Sequence, residues 1–481
     1  MIDQESNIHK KLIDFNKNNQ NEFSNDEINQ TQEYQSINKL KEDEESKFLS
    51  LNVYNNIMSS NVSLIHINAL FLYIFSLISL SFLLFQIILI SKVIQANYIV
   101  SYFEISMLIS MTFFGISLGI VINYYYLNNN VSYKMKVVIC SSITIFLVFF
   151  NVIANSLYLL YLCYPLISLV ASIGFYSAKN YFEEYFNDQK YDDIKILLLS
   201  VFSLSFFLVF LNYFLLIKHW NYYLITFGVL NIIILIFGLC MSETPSYLFK
   251  NKDYRSLILQ LERIKYKTIE EGEREVIYEE LKKIDEVDGS AKVSNLFSNN
   301  LRNFSILYFI IICLNSYMTI AGMIISISYC YEIFYKPNKT FDELFVYIII
   351  SVCGPLFGVV FSNHTAIKRK ILIIIHFAIM LGLAITILPL RRFTHVFGGI
   401  ILFFSFSLYI ILVKFGLEIY QGVFHKKIKI IFSFLFFATG VITAILVTAL
   451  YAAHFNASVV SLLVFSLVGV VFSSFLNKDI E

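Results

Sequence analysis

Apolar residues in this chain come in long unbroken runs, and polar residues are confined to the joints between them. A helix needs about 20 apolar residues to cross the hydrocarbon of a bilayer. The pattern therefore predicts twelve spans, near 69–90, 99–122, 136–150, 153–175, 196–217, 221–241, 304–330, 344–362, 371–389, 395–413, 428–450 and 455–476. The third is short, and Asn151 and Asn155 mark a tight turn after it. Two stretches break the pattern. Residues 1–60 are rich in Asn, Gln, Glu and Lys, with 11 acidic and 6 basic side chains. Too little apolar surface is present there to offset the entropy of ordering, so disorder is expected. Between 250 and 285, Leu257, Leu261 and Ile264, and then Ile277, Leu281 and Ile284, recur at helical spacing. They predict two amphipathic helices on a membrane face.

Composition supports the same class. Of 481 residues, 57% are hydrophobic and only 15% charged, against about 25% charged in soluble domains. The fold class is an all-α membrane protein. The net charge of +1 conceals a segregation of charge along the chain. With the N-terminus inside, the inner loops carry 22 Lys and Arg, whereas the outer loops carry six: Lys92, Lys218, Lys336, Lys339, Arg391 and Arg392. Inner loops of membrane proteins are enriched in basic residues. Both termini are thus expected in the cytoplasm, with the protein in the plasma membrane or an internal vesicle or vacuole membrane. No cleavable signal peptide is expected, because the first 60 residues are polar.

Six spans, a long central loop and six more spans invite a search for duplication. "GISLGIVIN" (115–123) ends span 2 and "GPLFGVVFSN" (354–363) ends span 8, an offset of 239 residues. "EEYFN" (183–187) follows span 4 and "LEIYQ" (417–421) follows span 10, an offset of 234. The two halves are expected to be pseudo-symmetric six-helix bundles. The layout is then a tail at 1–60, bundles at 61–241 and 304–476, a cytoplasmic linker at 242–303 and a short C-terminus at 477–481.

"SETPSYLFKNKDYRSLILQLERI" (242–264) resembles the segment after the sixth helix in the major facilitator superfamily, in its sugar-porter, organic-cation and synaptic-vesicle-2-like groups. Glu243, Thr244, Pro245, Tyr247 and Leu248 stand at matching positions, and Ser246 replaces the usual Arg. "EIYQ" (418–421) looks like the family's motif after helix 10 with Gln421 for Pro, and "VSNLFSNNLRNFSILYF" (293–309) like the lead-in to helix 7. The resemblance implies twelve helices in two bundles that rock about a central cavity. The family's loop after helix 2 carries an Asp followed by Arg; here Asn123 takes the Asp position, no Arg follows, and Ser362 stands at the corresponding place in the second half. The Arg expected at the start of helix 4 is absent, and so is the acidic-Pro motif after helix 12. The chain is a divergent relative by this measure.

The candidate residues follow from position. Pro245 suits a helix exit, since proline cannot continue a helix. Glu243 is expected to face the basic interfacial zone, with Tyr247 and Leu248 against the membrane surface. Glu184 and Glu418 lie at the inner ends of spans 4 and 10. The resemblance implies that such carboxylates pair with basic groups of neighbouring loops and close the inner side. Lys134 and Lys136 are the partners in one half and Lys368, Arg369 and Lys370 in the other, with Asn123 leaving a weaker latch. Ordinary interfacial charge, worth at most about 1 kcal/mol per exposed pair, is the plainer alternative. Intramembrane charge is expensive, so Glu104, expected about two turns inside span 2, is the candidate for proton coupling, or else an interfacial carboxylate reaching outer water. Lys179 and Lys414, near inner ends, read as structural residues that snorkel. Asn315, Tyr317 and Thr319 in span 7, Asn212 in span 5 and Gln86 in span 1 are candidates for solute contact, or else for interhelical hydrogen bonds. The sequon Asn338-Lys339-Thr340 is expected in an outer loop, open to glycosylation in a secretory pathway.

The six cysteines all fall inside apolar runs without metal-ligand spacing. No phosphate-binding Gly-rich loop suggests that ATP drives the protein, and the eight histidines are scattered. Neither an enzyme, a cofactor, a metal nor a nucleic-acid partner is indicated. The leading expectation is a monomeric secondary transporter of a small polar or charged organic solute, with proton coupling left open. The alternative is a transport-inactive relative that serves as a membrane receptor or scaffold.

Overall fold

The computed structural model describes residues 54–476 except 55–56, 59–62, 98–99, 128–130, 155, 187–200, 202–207, 209–219, 291–301, 335–352, 363–367, 391–393 and 420–423. The expected N-terminal disorder, the fifth span with Asn212, and the sequon at 338–340 fall outside these residues, apart from Val201 and Leu208 in the span, both helical, and from Tyr54, Ile57 and Met58 at the end of the tail, which are helical and buried rather than disordered. The first bundle contains α1 (Leu64–Asn97), α2 (Tyr102–Ile122), α3 (Tyr133–Ala154), α4 (Leu157–Tyr185) and α5 (Trp220–Leu239). Next come three more polar helices, α6 (Pro245–Lys250), α7 (Tyr254–Lys265) and α8 (Glu271–Ser290). The second bundle contains α9 (Arg302–Phe334), α10 (Cys353–Ser362), α11 (Arg369–Ile387), α12 (Thr394–Ile419), α13 (Phe424–Ala453) and α14 (Phe455–Ser474). Among the described residues nine helices are long and apolar enough to cross a membrane, and Tyr223–Leu239 and Cys353–Ser362 are shorter apolar helices. This is an all-helical, multi-pass integral membrane protein.

The spanning helices are apolar around most of their circumference, as spans facing both lipid and neighbours must be. Their ends carry the local chemistry. Ser101 caps α2, its hydroxyl accepting from the Glu104 amide while the Glu104 carboxylate accepts from the Ser101 amide at 2.7 Å. This reciprocal arrangement satisfies two orphan donors at once. Glu104 therefore lies in the first turn of α2 rather than two turns inside it. At its other end α2 passes into a π-helical turn, Asn123–Leu127. Helix α4 runs ten residues past the end that hydropathy predicts, to Tyr185.

The two halves repeat one packing pattern. In the first, α1 packs on α4 and α5, and α3 on α4 and α5; in the second, α9 packs on α12 and α14, and α11 on α12 and α14. The glycine pairs fit the same scheme. A Cβ on Gly119 would stand 2.6 Å from the Leu169 carbonyl of α4, and one on Gly115 would strike that of Pro165. A Cβ on Gly354 would stand 2.5 Å from the Phe403 carbonyl of α12, and one on Gly358 2.7 Å from that of Ser407. Pro165 and Phe403 are 238 residues apart, matching the glycine offset of 239. Close backbone approach across small residues is what drives packing in lipid, where hydrophobic burial between helices gains little. The halves meet along α2 and α13, where Gly440 receives the Phe113 ring, and along α1 and α9.

The segment between the bundles docks on one end of the first bundle. Thr244 is the N-cap of α6 and Pro245 its first residue. Proline here opens a helix, where its missing N–H is not needed, rather than only closing the one before. Glu243 accepts from the Ser132 hydroxyl at 3.3 Å, and Leu248, expected against the membrane surface, is buried in the protein core. Leu257, Leu261, Ile264, Ile277 and Leu281 of α7 and α8 are all buried. Gln260 of α7 donates to Tyr185 and, at 3.3 Å, to Ser242. Glu280 of α8 accepts from the Tyr54 backbone amide at 2.8 Å, so the chain before α1 lies at the same end.

Candidate functional site

A cavity lies between the two bundles. The first contributes Tyr73, Leu77 and Leu80 of α1 and Phe175, Tyr176 and Lys179 of α4. The second contributes Pro355 of α10, Phe406 and Tyr409 of α12, and Ser433, Phe436 and Phe437 of α13. Water centres can occupy about 70 Å³ of it, well above the roughly 10–15 Å³ that a cavity needs to hold a water. Aromatic rings dominate the wall. Tyr73 stacks on Phe182 at 4.8 Å, and Tyr409 meets Phe436 edge-on at 5.6 Å.

Toward the linker end a cross-bundle ion pair closes the space. Lys429 of α13 donates to the Glu183 carboxylate of α4 at 3.3 Å, each side chain only about a fifth exposed. Glu183 lies one helical turn beyond Lys179, and Lys429 one turn before Ser433, so the pair sits directly beneath the cavity floor. The Lys179 ammonium is 5.7 Å from the Tyr176 ring centre and within electrostatic reach of both Glu183 and Lys429. A partly buried pair of this kind holds two surfaces together, and removing either partner strands the other charge.

The expected gate residues fall in several places. Glu184 accepts from the Ser246 amide at 2.9 Å and so ties α4 to the linker. Lys136 is in α3, not in a loop; it is buried, 3.5 Å from the Asn123 side-chain oxygen and 4.6 Å from the Tyr133 ring centre. Ser177 of α4 donates to the same Asn123 oxygen at 3.4 Å. Asn123 and Lys136 are thus brought together, within the first bundle. Lys134 is half-buried at the start of α3, Lys368 is exposed, and Arg369 and Lys370 are half-buried in the first turn of α11. Glu418 is in the last turn of α12, where only the backbone is described.

Of the expected solute contacts, Gln86, Asn315, Tyr317 and Thr319 are buried, and none of these four is among the residues that line this cavity. Tyr317 donates to Ser461 at 2.6 Å and Thr319 to the Asn315 carbonyl at 2.9 Å. Both amide atoms of Gln86 and the side-chain oxygen of Asn315 are buried without a hydrogen bond. Glu104 is exposed at the end away from the linker. Glu183 and Lys429 escape the sequence reading, and Lys179 figures in it only as a structural residue. Their signal is the four-residue spacing of Lys179 and Glu183, which puts them on one helix face, but the hydropathy of span 4 fades at residue 175 and hides that they share a helix.

The family model described as Major Facilitator Superfamily matches residues 69–417. The chain belongs to the major facilitator superfamily. Solved structures of that superfamily share its fold. The proton:xylose symporter XylE bound to 6-bromo-6-deoxy-D-glucose aligns with a TM-score of 0.60 at 14% identity, over 87% of this chain and 96% of that one. The partially occluded inward open form of the xylose transporter XylE from E. coli aligns with a TM-score of 0.62 at 12% identity, over 87% and 100%. No curated protein sequence matches the chain. At such identities the likeness is one of fold. Within that major facilitator fold, the cavity and its ion pair lie between the two bundles.

Proposed function

We propose that this chain is a secondary transporter that carries a small polar or charged organic solute across a bilayer by alternating access. The observation that carries the reading is a cavity shared by both bundles and closed on one side by an ion pair from opposite bundles. If the bundles rock, Glu183 and Lys429 separate and the cavity opens toward the linker. Basic residues crowd that end, which supports its being cytoplasmic with both termini. The chain works as a monomer in this reading, because each bundle supplies half of the cavity. The Gln86 amide and the Asn315 side-chain oxygen, on the helices that meet across the halves, are unmatched in this state. Buried polar atoms without partners are rare in folded proteins, which supports a role for them in contacting solute or water when the opposite side opens.

The test is uptake into sealed vesicles of labelled organic cations, organic anions, hexoses and amino acids, each with and without an inward proton gradient. Uptake of one class is expected, together with its loss or loosening in Glu183→Gln. Dependence on the gradient identifies proton coupling. Glu104→Gln is expected to leave that dependence intact, since its carboxylate serves the helix cap. Silence across the panel, from folded and correctly oriented protein, favours the receptor or scaffold alternative.

A further inference from the structure

We propose that the cavity's ligand is a small organic anion with a flat apolar body, an aryl monocarboxylate by class. This rests on reading the cavity as the solute site and adds the chemistry that the wall selects. Among the described residues the charges acting on Lys179 are Glu183 and Lys429, which leaves one positive charge over in this group, and Lys179 is the charged residue of the described lining. A cation beside apolar walls is unfavourable until something neutralises it. An anionic ligand does so, and an organic cation makes the imbalance worse.

The rest of the wall selects the body of the ligand. Tyr73, Phe175 and Tyr176 face Phe406, Tyr409 and Phe436 across the space. Rings prefer offset or edge-on partners, so a planar apolar group between them gains contact on both faces. A sugar fits less well, because each of its hydroxyls needs a hydrogen-bond partner. The polar lining groups are few, and one of them, the Ser433 hydroxyl, already donates to the Lys429 carbonyl at 3.0 Å. The buried amides Gln86 and Asn315 are elsewhere.

The same geometry connects binding to the gate. A carboxylate at Lys179 lies one helical turn from Glu183 and competes with it for the two lysines. Ligand arrival therefore weakens the contact that holds the bundles together at the linker end. Binding and opening become one electrostatic exchange.

Equilibrium binding of labelled benzoate to the full-length protein in lipid nanodiscs tests this, with benzylamine, benzyl alcohol, acetate and xylose as competitors. Benzoate is expected to bind best. Acetate lacks the ring, benzyl alcohol the charge, and benzylamine carries the wrong charge. A hydrogen bond to a charged partner contributes about 1.5–3 kcal/mol, so Lys179→Gln is expected to weaken benzoate at least tenfold, and Lys179→Arg to retain most of it. Glu183→Gln is expected to tighten benzoate severalfold, because it removes the competing carboxylate. Thermal unfolding of each variant checks that it is folded. Equal benzoate affinity in Lys179→Gln and wild type overturns the proposal, as does stronger binding of benzylamine or xylose. Binding and transport are read separately. Benzoate binding without uptake keeps this inference and sinks the transporter reading, whereas uptake of another class without benzoate binding does the reverse.

Discussion

Lys136 shows how one residue changes meaning between sequence and fold. In the sequence it belongs to a basic loop that helps set orientation; in the structure it is buried, with Asn123 as its side-chain hydrogen-bond partner. The superfamily's pattern has Asp at that position. A hydrogen bond with both partners charged is stronger than one with a neutral acceptor. Asn123→Asp is therefore expected to stabilise the first bundle by about 1 kcal/mol, read as a higher melting temperature in detergent. Asn123→Leu, which leaves Lys136 without its oxygen, should lower it. Lys179 makes the same point in reverse. Its place near a helix end reads as snorkelling, yet α4 runs on to Tyr185 and keeps Lys179 on the cavity wall.

At the scale of elements, packing is more legible in the sequence than chemistry. Twelve apolar runs and two glycine pairs at one offset are enough to announce a repeated helical bundle. The helices then pair as the repeat requires, with Gly115 and Gly119 on α4 and Gly354 and Gly358 on α12. Gly119→Val and Gly358→Val should each unseat a helix pair, because the neighbouring backbone carbonyls cannot move aside cheaply. Gly382→Val on α11 has open space for the added side chain and is expected to be nearly neutral. Thermal melts of the three variants separate these outcomes.

The linker has its own pH response. The Lys265 ammonium, 2.7 Å away, holds the Glu273 carboxyl below the usual carboxylate value. A carboxyl with a depressed folded value adds stability above its unfolded value and loses it as pH falls through the folded one. Hydrogen exchange in α7 and α8, corrected for intrinsic rates, is expected to quicken between neutral and acid pH. Lys265→Met should flatten that change.

For the whole molecule the decisive feature is the contact between bundles. Glu183→Cys with Lys429→Cys, in a background without native cysteines, is expected to be bridged by a bifunctional thiosulfonate reagent, whose reducible spacer covers the reach of the two lost side chains, and to hold the linker side shut. Uptake should stop when the bridge forms and return on reduction; transport through the bridged protein would show that this contact does not open in the cycle. Which half meets which, and through which side chains, depends on how two bundles rotate against each other. No local rule of spacing encodes that rotation. Glu183 and Lys429 are 246 residues apart, and neither stands out beside the adjacent Glu184 or the other lysines of its loop.

Length and hydropathy of the runs determined a multi-pass helical membrane protein, and the motif after span 6 with its glycine pairs pointed to the superfamily. These features are local: a span must bury its own backbone hydrogen bonds in lipid, and a glycine pair marks close packing wherever it falls. The tertiary structure alone decided which charges converge. It put Glu104 in a helix cap, Glu184 on the linker, Lys136 in the core, and Lys179 with the Glu183–Lys429 pair at the cavity. Electrostatic energy depends on distance and on the medium between charges, and both are set by the folded arrangement rather than by order along the chain.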